Sequence, residues 1–331
     1  MRLEDIGFYT LSEARAAGAA VDSRMMRAEL LLTARCNFHC PYCRGVGGAD
    51  VSLQSALAVI RLWTDDGLYA LRLSGGEPLL YKGLDELVRA AKAGGAERIA
   101  ISSNGSFPRH RYLELIEAGV NDLSISLDAC CAEDGDRMAG GVKGAWNRVV
   151  ANIRDLSGQT YLTVGVVLTQ DNAARINDII AFAAELGVAD VRVIPAAQDG
   201  DRLSQVEVDP DLLARLPILR YRIDNLRAGG TVRGLSPSDS HRCGLVLDDS
   251  AVCEGKHYPC IIYLREGGAP IGEVSPGMRA ARAAWSASHD THQDDICRGN
   301  CLDVCVAYNN ACATARQKRQ AANTPLAGPD D

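Results

Sequence analysis

One loop of the chain reads Cys36-Asn37-Phe38-His39-Cys40-Pro41-Tyr42-Cys43. The spacing C-x3-C-x2-C gives three thiolates, whereas a [4Fe–4S] cluster has four irons and usually takes four cysteines. Three cysteines therefore leave one iron open to a small molecule. A structural zinc site is the alternative, although zinc prefers paired C-x2-C spacings and four ligands.

The loop follows an apolar run, residues 30–32, and similar short runs recur up to residue 195. Apolar runs of this kind predict buried strands, here at residues 29–33, 70–73, 98–102, 123–127, 161–168 and 191–194. Helical patterns lie between them at residues 52–63, 83–93, 109–118, 145–156 and 173–186. This alternation predicts a parallel sheet with right-handed crossovers. It puts the cysteine loop at the carboxyl end of a strand, where α/β barrels hold their chemistry.

A second motif, Ser74-Gly75-Gly76-Glu77-Pro78, follows the second strand. The glycines allow close approach of backbone to a ligand, and Glu77 offers a carboxylate that can orient an ammonium group. With the cysteine loop and its aromatic Tyr42, this motif resembles the radical S-adenosylmethionine (SAM) superfamily, over about residues 29–195. The resemblance implies an α/β fold, a partial (β/α)6 TIM-like barrel.

The resemblance also implies a chemistry and its binding residues. The open iron of the [4Fe–4S] cluster chelates SAM, one electron cleaves SAM, and the resulting 5′-deoxyadenosyl radical abstracts a hydrogen atom from the substrate. Gly75, Gly76 and Glu77 are expected to hold the SAM amino group, and polar residues at later strand ends to contact its ribose and carboxylate. The further expected SAM contacts are Tyr42, Ser102, Asn104, Ser126, Asp128, Val167, Leu168 and Arg192.

Plainer interpretations of three of these residues stay open. Asn104 with Gly105 is also typical of a tight turn, and Asp128 of a helix N-cap. Arg192 lies inside the sixth strand, where it either pairs within the barrel or contacts the SAM carboxylate. The adjacent Cys130 and Cys131 are expected to be buried, unreactive thiols.

Seven further cysteines lie between residues 243 and 312. The stretch from Cys243 to Cys260 reads C-x11-G-x4-C, which resembles the opening motif of SPASM and twitch modules that bind auxiliary Fe–S clusters. The later run, C-x3-C-x3-C-x6-C, departs from the usual SPASM order. We expect one auxiliary [4Fe–4S] cluster, with zinc as the alternative. Its expected ligands are Cys243 and Cys260 with two of Cys297, Cys301 and Cys305, for which we choose Cys301 and Cys305.

Five units follow from these patterns: an N-terminal extension (1–28), the partial barrel (29–195), a helical linker (196–242), the cluster module (243–319) and a disordered tail (320–331). The linker is predicted to contain one helix, over residues 210–226. Cys253 is left without a place in the opening motif. It is either a hydrogen-atom donor to a substrate radical, because an S–H bond is weaker than a typical C–H bond, or a buried or ligating thiol.

Three activities agree with this sequence. The first is epimerisation of a sugar carbon of an aminoglycoside with Cys253 as donor, as in enzymes of the neomycin C epimerase type. The second is dehydrogenation of an alcohol or cyclitol, with the auxiliary cluster taking an electron. The third is peptide modification, which the short N-terminal extension disfavours. A non-catalytic Fe–S carrier is a fourth class, disfavoured because a carrier needs no SAM pocket.

Net charge and composition limit the classes of substrate and partner that the protein is expected to bind. The formal net charge is −7 and the sequence pI about 5.5, which argues against nucleic acid and favours a small cationic sugar as substrate. Asp199, Asp201 and Asp239 are possible ammonium partners, or else part of a solvated face. No apolar run is long enough to span a membrane, and no signal peptide is evident. The expectation is a cytoplasmic enzyme with a flavodoxin- or ferredoxin-type reductant.

Overall fold

The computed structural model describes residues 3–5, 8–45, 47–197 and 207–323. Within these ranges, nine strands form one sheet. The strands are β1 (Arg27–Leu31), β2 (Ala70–Ser74), β3 (Arg98–Ser103), β4 (Asp122–Ser126), β5 (Tyr161–Leu168), β6 (Asp190–Pro195), β7 (Asp249–Cys253), β8 (Lys256–Tyr258) and β9 (Gly272–Glu273). The helices are α1 (Glu13–Gly18), α2 (Leu53–Asp65), α3 (Leu84–Ala93), α4 (Arg109–Ala118), α5 (Ala132–Met138), α6 (Ala145–Leu156), α7 (Ile176–Glu185), α8 (Pro210–Arg215), α9 (Pro217–Arg227), α10 (Ile261–Arg265), α11 (Met278–Ser288), α12 (Asp295–Asn300) and α13 (Asp303–Asn323).

Strands β1 to β6 lie side by side in chain order and all run parallel. Helices follow the strands along the chain, so the predicted α/β partial barrel is confirmed. Each strand begins and ends within two residues of its expected position. The carboxyl ends of all six strands therefore meet at one edge, which is where the cysteine loop begins.

Side chains alternate between the two faces of the sheet. On β1 and β2, Leu30 and Leu73 are fully buried and pack in the hydrophobic core with Trp63 of α2. The intervening positions, Glu29 and Arg72, line the interior of the barrel. The outer face thus supplies the apolar contacts that hold the helices, and the inner face is free to carry charge.

The segment after the barrel differs from expectation. One helix is predicted over residues 210–226, but the structure has α8 and α9, separated at Leu216. Pro217 lacks a backbone N–H and disfavours the helical conformation of the residue before it, and Leu216 accordingly has φ −117° and ψ 80°. The buried Asp190 carboxylate accepts from the N–H of Ile218 at 2.7 Å, which caps the first turn of α9.

The cysteine-rich region is joined to the barrel through the sheet. Strand β7 pairs in parallel with β1, and β8 and β9 extend the sheet antiparallel. Asp248 precedes β7 and accepts two bonds of 2.7 Å from Arg15 of α1 and one of 2.9 Å from Tyr308 of α13. The N-terminal segment and the last helix are therefore fastened to the same carboxylate.

The boundaries of the five predicted units remain predictions. The last helix continues through Asn323, past the expected end of the module at residue 319, and residues 324–331 lie outside the described part of the chain. Within the described residues, every helix is too short or too polar to cross a membrane.

Candidate active site

A cavity of about 560 Å³ lies between the barrel and the cysteine-rich region. We call it the main cavity. It is lined by Cys36, Cys40 and Cys43 of the cysteine loop. Cys260 and Cys305, from the cysteine-rich region, also line it. Two sets of thiols from distant parts of the chain therefore face one space.

The cysteine loop is arranged to hold a metal–sulfur group. The backbone N–H groups of Phe38 and Gly45 donate to the sulfurs of Cys36 and Cys43, each at 3.4 Å. The side-chain amide of Asn104 lies 3.7 Å from the sulfur of Cys36. Hydrogen bonds to sulfur are among the features that tune iron–sulfur clusters, so these donors fit cluster ligands.

The glycines after β2 are required by close backbone approach. A Cβ on Gly75 would lie 2.4 Å from the carbonyl oxygen of Thr33, and one on Gly76 would lie 2.3 Å from that of Arg35. Gly75 also has φ +140°, which L-residues rarely adopt. Both glycines line the main cavity, so the loop after β1 and the loop after β2 form one wall of it.

Glu77 has a different position from the one expected. Its side chain is fully buried and does not line the main cavity, while its carboxylate accepts from the N–H of Asn104 at 2.7 Å and from the N–H of Leu79 at 3.1 Å. The hydroxyl of Ser103 donates to both oxygens. Burial raises the pKa of Glu77 to about 7, although these donors oppose the shift. In this geometry Glu77 ties the ends of β2 and β3 together.

Asn104 and Ser102 both line the main cavity at the end of β3. The Asn104 amide donates to the side-chain oxygen of Asn37 at 2.8 Å, which links the end of β3 to the cysteine loop. The hydroxyl of Ser102 accepts from Arg72 at 2.8 Å. Asn104 therefore supports the loop as well as facing the predicted SAM position.

Asp128 joins three parts of the site. Its carboxylate accepts from the hydroxyl of Tyr42 at 2.5 Å and from the N–H of Val167 at 2.7 Å. Burial raises the pKa of Asp128 to about 6, and these two donors oppose the shift. The expected N-cap role is absent, because α5 begins later, at Ala132, with Cys131 before it.

Asp128→Asn will remove a pH-dependent loss of stability. The native state holds a proton on Asp128 up to about pH 6, whereas the usual pKa is 3.8, so the free energy of unfolding falls as pH rises between these values. The fall over this whole range of pH is about 3 kcal/mol. Asparagine is uncharged and keeps an oxygen for the Val167 N–H, so the variant lacks this slope.

Urea denaturation of the cluster-free protein at pH 4.5 and 7, followed by circular dichroism, measures the difference. We expect Asp128→Asn to gain stability relative to the wild type as pH rises. Parallel pH profiles for the two proteins would contradict the assignment.

The remaining predicted SAM residues divide into two groups. Ser126 and Val167 line the main cavity near the cysteine loop. Leu168 is buried in the hydrophobic core instead. Arg192 lines the cavity, but its guanidinium lies 5.5 Å from the ring centre of Phe8 and interacts with Asp122 at the amino end of β4. Its Nε and Nη2 have no hydrogen-bond partner among the described residues, so both expectations for Arg192 stay open.

The second set of thiols surrounds a smaller, enclosed cavity, which we call the cysteine pocket. Its lining includes five cysteines, Cys243, Cys260, Cys297, Cys301 and Cys305. The four predicted ligands are among them, and Cys297 is the additional thiol. Which four would hold a cluster stays a prediction, as does the single auxiliary cluster itself.

One group of side chains in the cysteine-rich region is close enough to hold a single metal ion. In the described part of the chain, the ligand atoms of His289, Asp294 and Cys297 lie within 4.8 Å of one another. Zinc accepts all three ligand types, and Cys297 also lines the cysteine pocket. The zinc alternative for this region therefore stays open.

The other cysteines lie away from both cavities. Cys130 packs against the hydrophobic core, Cys131 donates to Asp134 at 3.3 Å, and Cys312 is buried in a small second core. Cys130 and Cys131 are only half-buried, so the prediction that both are buried is wrong. Their lack of reactivity stays a prediction.

Cys253 is the last residue of β7, and it is half-buried. Cys253 lies four residues after Asp249 on β7, so the two side chains share one face of the strand, and Asp249 lines the main cavity. Cys253 does not line the main cavity itself. Its thiol interacts electrostatically with Arg265, and Arg265 does line the cavity. Burial raises the pKa of Cys253, so it carries an S–H group at neutral pH.

Three charged residues that line the main cavity were not predicted from the sequence: Arg27 and Glu29 on β1 and Arg72 on β2. The sequence pattern that indicates them is a charged side chain at alternate positions of an otherwise apolar strand.

The predicted ammonium partners lie elsewhere. Asp239 lines the cysteine pocket, and its carboxylate accepts from Asn310 at 2.8 Å. Asp199 and Asp201 lie outside the described residues.

Similar proteins define the class to which the chain belongs. It is 39% identical over 322 residues to a GTP 3′,8-cyclase of Synechococcus sp. (strain CC9605), which covers 80% of this chain and 89% of that protein. A sequence model of the radical SAM superfamily matches residues 30–183. The chain belongs to the radical SAM superfamily. It is also 28% identical over 298 residues to the GTP 3′,8-cyclase of Moorella thermoacetica, covering 78% of this chain and 91% of that one.

Solved structures share the fold. The structure of native anSMEcpe with bound AdoMet has a TM-score of 0.58 at 13% identity, covering 90% of this chain and all of that one. Streptococcus suis SuiB has a TM-score of 0.56 at 14% identity, covering 80% of this chain and 66% of that one. Both likenesses support a partial barrel followed by a cysteine-rich carboxyl-terminal region.

Proposed function

We propose that this chain is a radical SAM enzyme that oxidises a small molecule held in the main cavity between two cluster sites. The observation that carries the proposal is that Cys260 and Cys305 line both the main cavity and the cysteine pocket. A substrate in the main cavity therefore lies between the loop thiols and the pocket thiols. The names of the relatives add GTP as one substrate to test.

The residues fit the groups that this function needs. Cys36, Cys40 and Cys43 would hold the radical-site cluster, and four of the five pocket cysteines would hold an auxiliary one. When bound, SAM and the first cluster supply a 5′-deoxyadenosyl radical that abstracts hydrogen, and an auxiliary cluster supplies an acceptor for one electron. Gly75 and Gly76 allow the close approach that SAM needs.

The protein's own groups can orient the substrate and take a proton from it. Asp249 and Glu29 are buried carboxylates on the cavity wall, and both pair with Arg27, at 3.2 Å and 3.1 Å. Burial raises the pKa of Asp249, with Arg27 opposing the shift. Loss of hydrogen from a carbon that bears a hydroxyl, then of one electron and one proton, gives a carbonyl, and Asp249 lies where it can receive that proton.

A second candidate function is epimerisation with Cys253 as hydrogen-atom donor. Three features favour it: burial raises the pKa of the thiol, Cys253 lies on the face of β7 that it shares with Asp249, and it is not one of the five pocket cysteines. An epimerase returns a hydrogen atom to the substrate, so its product has the mass of the substrate in ordinary water.

Cys253→Ala separates the two candidates. The wild type and variant, reconstituted with iron and sulfide without oxygen, would be given SAM, a reductant and a panel of cyclitols, aminoglycosides and GTP in D2O. We expect 5′-deoxyadenosine and a product lighter by two hydrogens from both proteins. A product one mass unit heavier, inverted at one carbon and absent from the variant, would favour the epimerase.

A further inference from the structure

The main cavity is strongly basic although the chain as a whole is acidic. Among the described residues that line it are seven arginines and four carboxylates, in a protein of formal net charge −7. Arginine is the side chain best suited to bind carboxylate and phosphate through paired hydrogen bonds. Such a concentration of like charge in a cleft raises the local concentration of oppositely charged ligands. The lining arginines are Arg27, Arg44, Arg72, Arg192, Arg222, Arg233 and Arg265.

Three of these seven arginines pair with carboxylates on the cavity wall or beside it. Arg27 pairs with Asp249 and Glu29, Arg72 with Asp122 and Arg44 with Glu266. These pairs stabilise the walls of the cavity. The other four arginines lie outside these pairs.

Arg192 has two nitrogens, Nε and Nη2, without a hydrogen-bond partner among the described residues, but Asp122 acts on it. Arg233 has no carboxylate among the charges that act on it. Its Nε donates to the carbonyl oxygen of Pro195 at 3.0 Å, but its buried Nη1 has no hydrogen-bond partner in the part of the chain that the structure describes. The charges that act on it are the arginines Arg44 and Arg222, which, with burial, lower its pKa. An arginine surrounded by like charge is costly unless an anion is present.

Arg222 lies beside Arg233 and is 2% exposed. Its Nη1 is 3.1 Å from a carboxylate oxygen of Asp303, which makes an ion pair. Neither Nη1 nor Nε of Arg222 has a hydrogen-bond partner among the described residues, and that Asp303 oxygen accepts from the N–H of Val304 at 2.8 Å. The wall formed by Arg222 and Arg233 therefore has two cations for one carboxylate, and it keeps an excess of positive charge.

We propose that the substrate carries an oxyanion group, a phosphate or a carboxylate, that binds between Arg222 and Arg233. The inference rests on the proposed function, since it names the substrate class of the same cavity. The wall lies next to the cysteine pocket, because the N–H of Gly234 donates to the carbonyl oxygen of Cys301 at 2.9 Å. The anionic end of the substrate is thus held on the pocket side, and its other end faces the cysteine loop.

A cationic sugar, which the acidic composition favours, would need negative charge on this wall of the cavity. Its ammonium groups would meet Arg222 and Arg233 without a free carboxylate on that wall. The two substrate classes therefore predict opposite results for simple ionic probes.

Arg233→Gln tests the proposal by calorimetry. The reconstituted protein, saturated with SAM but not reduced, would be titrated with inorganic pyrophosphate, citrate and spermine in separate runs. We expect one of the two anions to bind and Arg233→Gln to weaken it about tenfold or more, the loss of one charged hydrogen bond. Preference for pyrophosphate indicates a phosphate group, and preference for citrate a carboxylate. Spermine should not bind in the cavity.

Matched variants keep the test decisive. Arg220→Gln removes an exposed charge from the same helix as Arg222 and should bind the anion as the wild type does. Arg233→Lys restores the charge and should recover part of the affinity, which a merely structural defect would not. Equal anion binding by Arg233→Gln and Arg220→Gln, or binding of spermine in place of the anions, would overturn the proposal.

Formation of 5′-deoxyadenosine in the same reconstituted samples, after reduction, tests the proposed function separately. Arginine-dependent anion binding without SAM cleavage would leave the anion site standing and remove the radical function. SAM cleavage without arginine-dependent anion binding would support the radical function and exclude the anion site.

Discussion

Cys40→Ser will abolish SAM cleavage and remove one cluster from the reconstituted protein. Cys40 lies in the middle of the loop and lines the main cavity between Cys36 and Cys43. A serine hydroxyl is a poor ligand for iron compared with a thiolate, and two cysteines do not hold a [4Fe–4S] cluster. The iron content should fall by about four atoms per chain, and 5′-deoxyadenosine should fall below detection.

Cys131→Ser is the matched control for this prediction. Cys131 lies outside both thiol sets and donates to Asp134 at 3.3 Å, a hydrogen bond that a serine hydroxyl can also make. Iron content and SAM cleavage should be those of the wild type. Iron analysis, ultraviolet–visible absorbance and chromatography of 5′-deoxyadenosine give the three measurements. Retention of SAM cleavage by Cys40→Ser would exclude the loop as the radical site.

Asp122→Asn will cause the largest loss of stability among charge substitutions in the barrel. Asp122 is fully buried and lies 3.0 Å from Arg98 and 3.4 Å from Arg72, with Arg192 also acting on it. Its pKa is lowered because these arginines outweigh the effect of burial. Removal of the shared carboxylate leaves buried positive charges unpaired, which costs about 3–5 kcal/mol.

Chemical denaturation at neutral pH measures this loss, with Asp155→Asn as control. Asp155 pairs with Arg109 on the surface, and both side chains are about half exposed. Exposed pairs of this kind contribute about 0–1 kcal/mol, so the control should be close to the wild type. A loss for Asp122→Asn no larger than that of the control would show that the arginines have other support.

Local sequence was sufficient for the barrel and for the radical site. The alternation of strands and helices depends on the period of apolar residues along the chain, and the thiol spacing of the loop lies within eight residues. Gly75 and Gly76 were identifiable from their neighbours in the chain, because they lie between the second strand and Glu77 in a motif that accompanies the cysteine loop. These features depend on neighbours in the chain.

The orientation of the Glu77 side chain could not be predicted from local sequence. Its motif predicted a carboxylate facing an ammonium group, but the carboxylate is occupied by donors from Ser103, Asn104 and Leu79. Two of these donors belong to the next strand and the loop after it. Only the packing of β3 against β2 decides which way such a carboxylate points.

The cysteine-rich region depended still more on tertiary contacts. Its cysteine order is irregular, and the five pocket thiols come from separate segments, Cys243, Cys260 and the later run 297–305. Pairing of β7 with β1 brings these segments to the barrel. No periodic pattern in the sequence encodes which distant strand another will join.

By itself, the sequence determined that this protein has an α/β barrel with a three-cysteine loop, since both follow from spacing along the chain. Tertiary structure alone decided that both thiol sets face one cavity and that this cavity is basic within an acidic chain. The reason is physical: net charge is a sum over the whole surface, whereas the field that a substrate meets depends on which side chains folding brings within a few ångströms of it. Arg222 and Arg233 reach the main cavity only because α9 packs against β6 at the edge of the barrel.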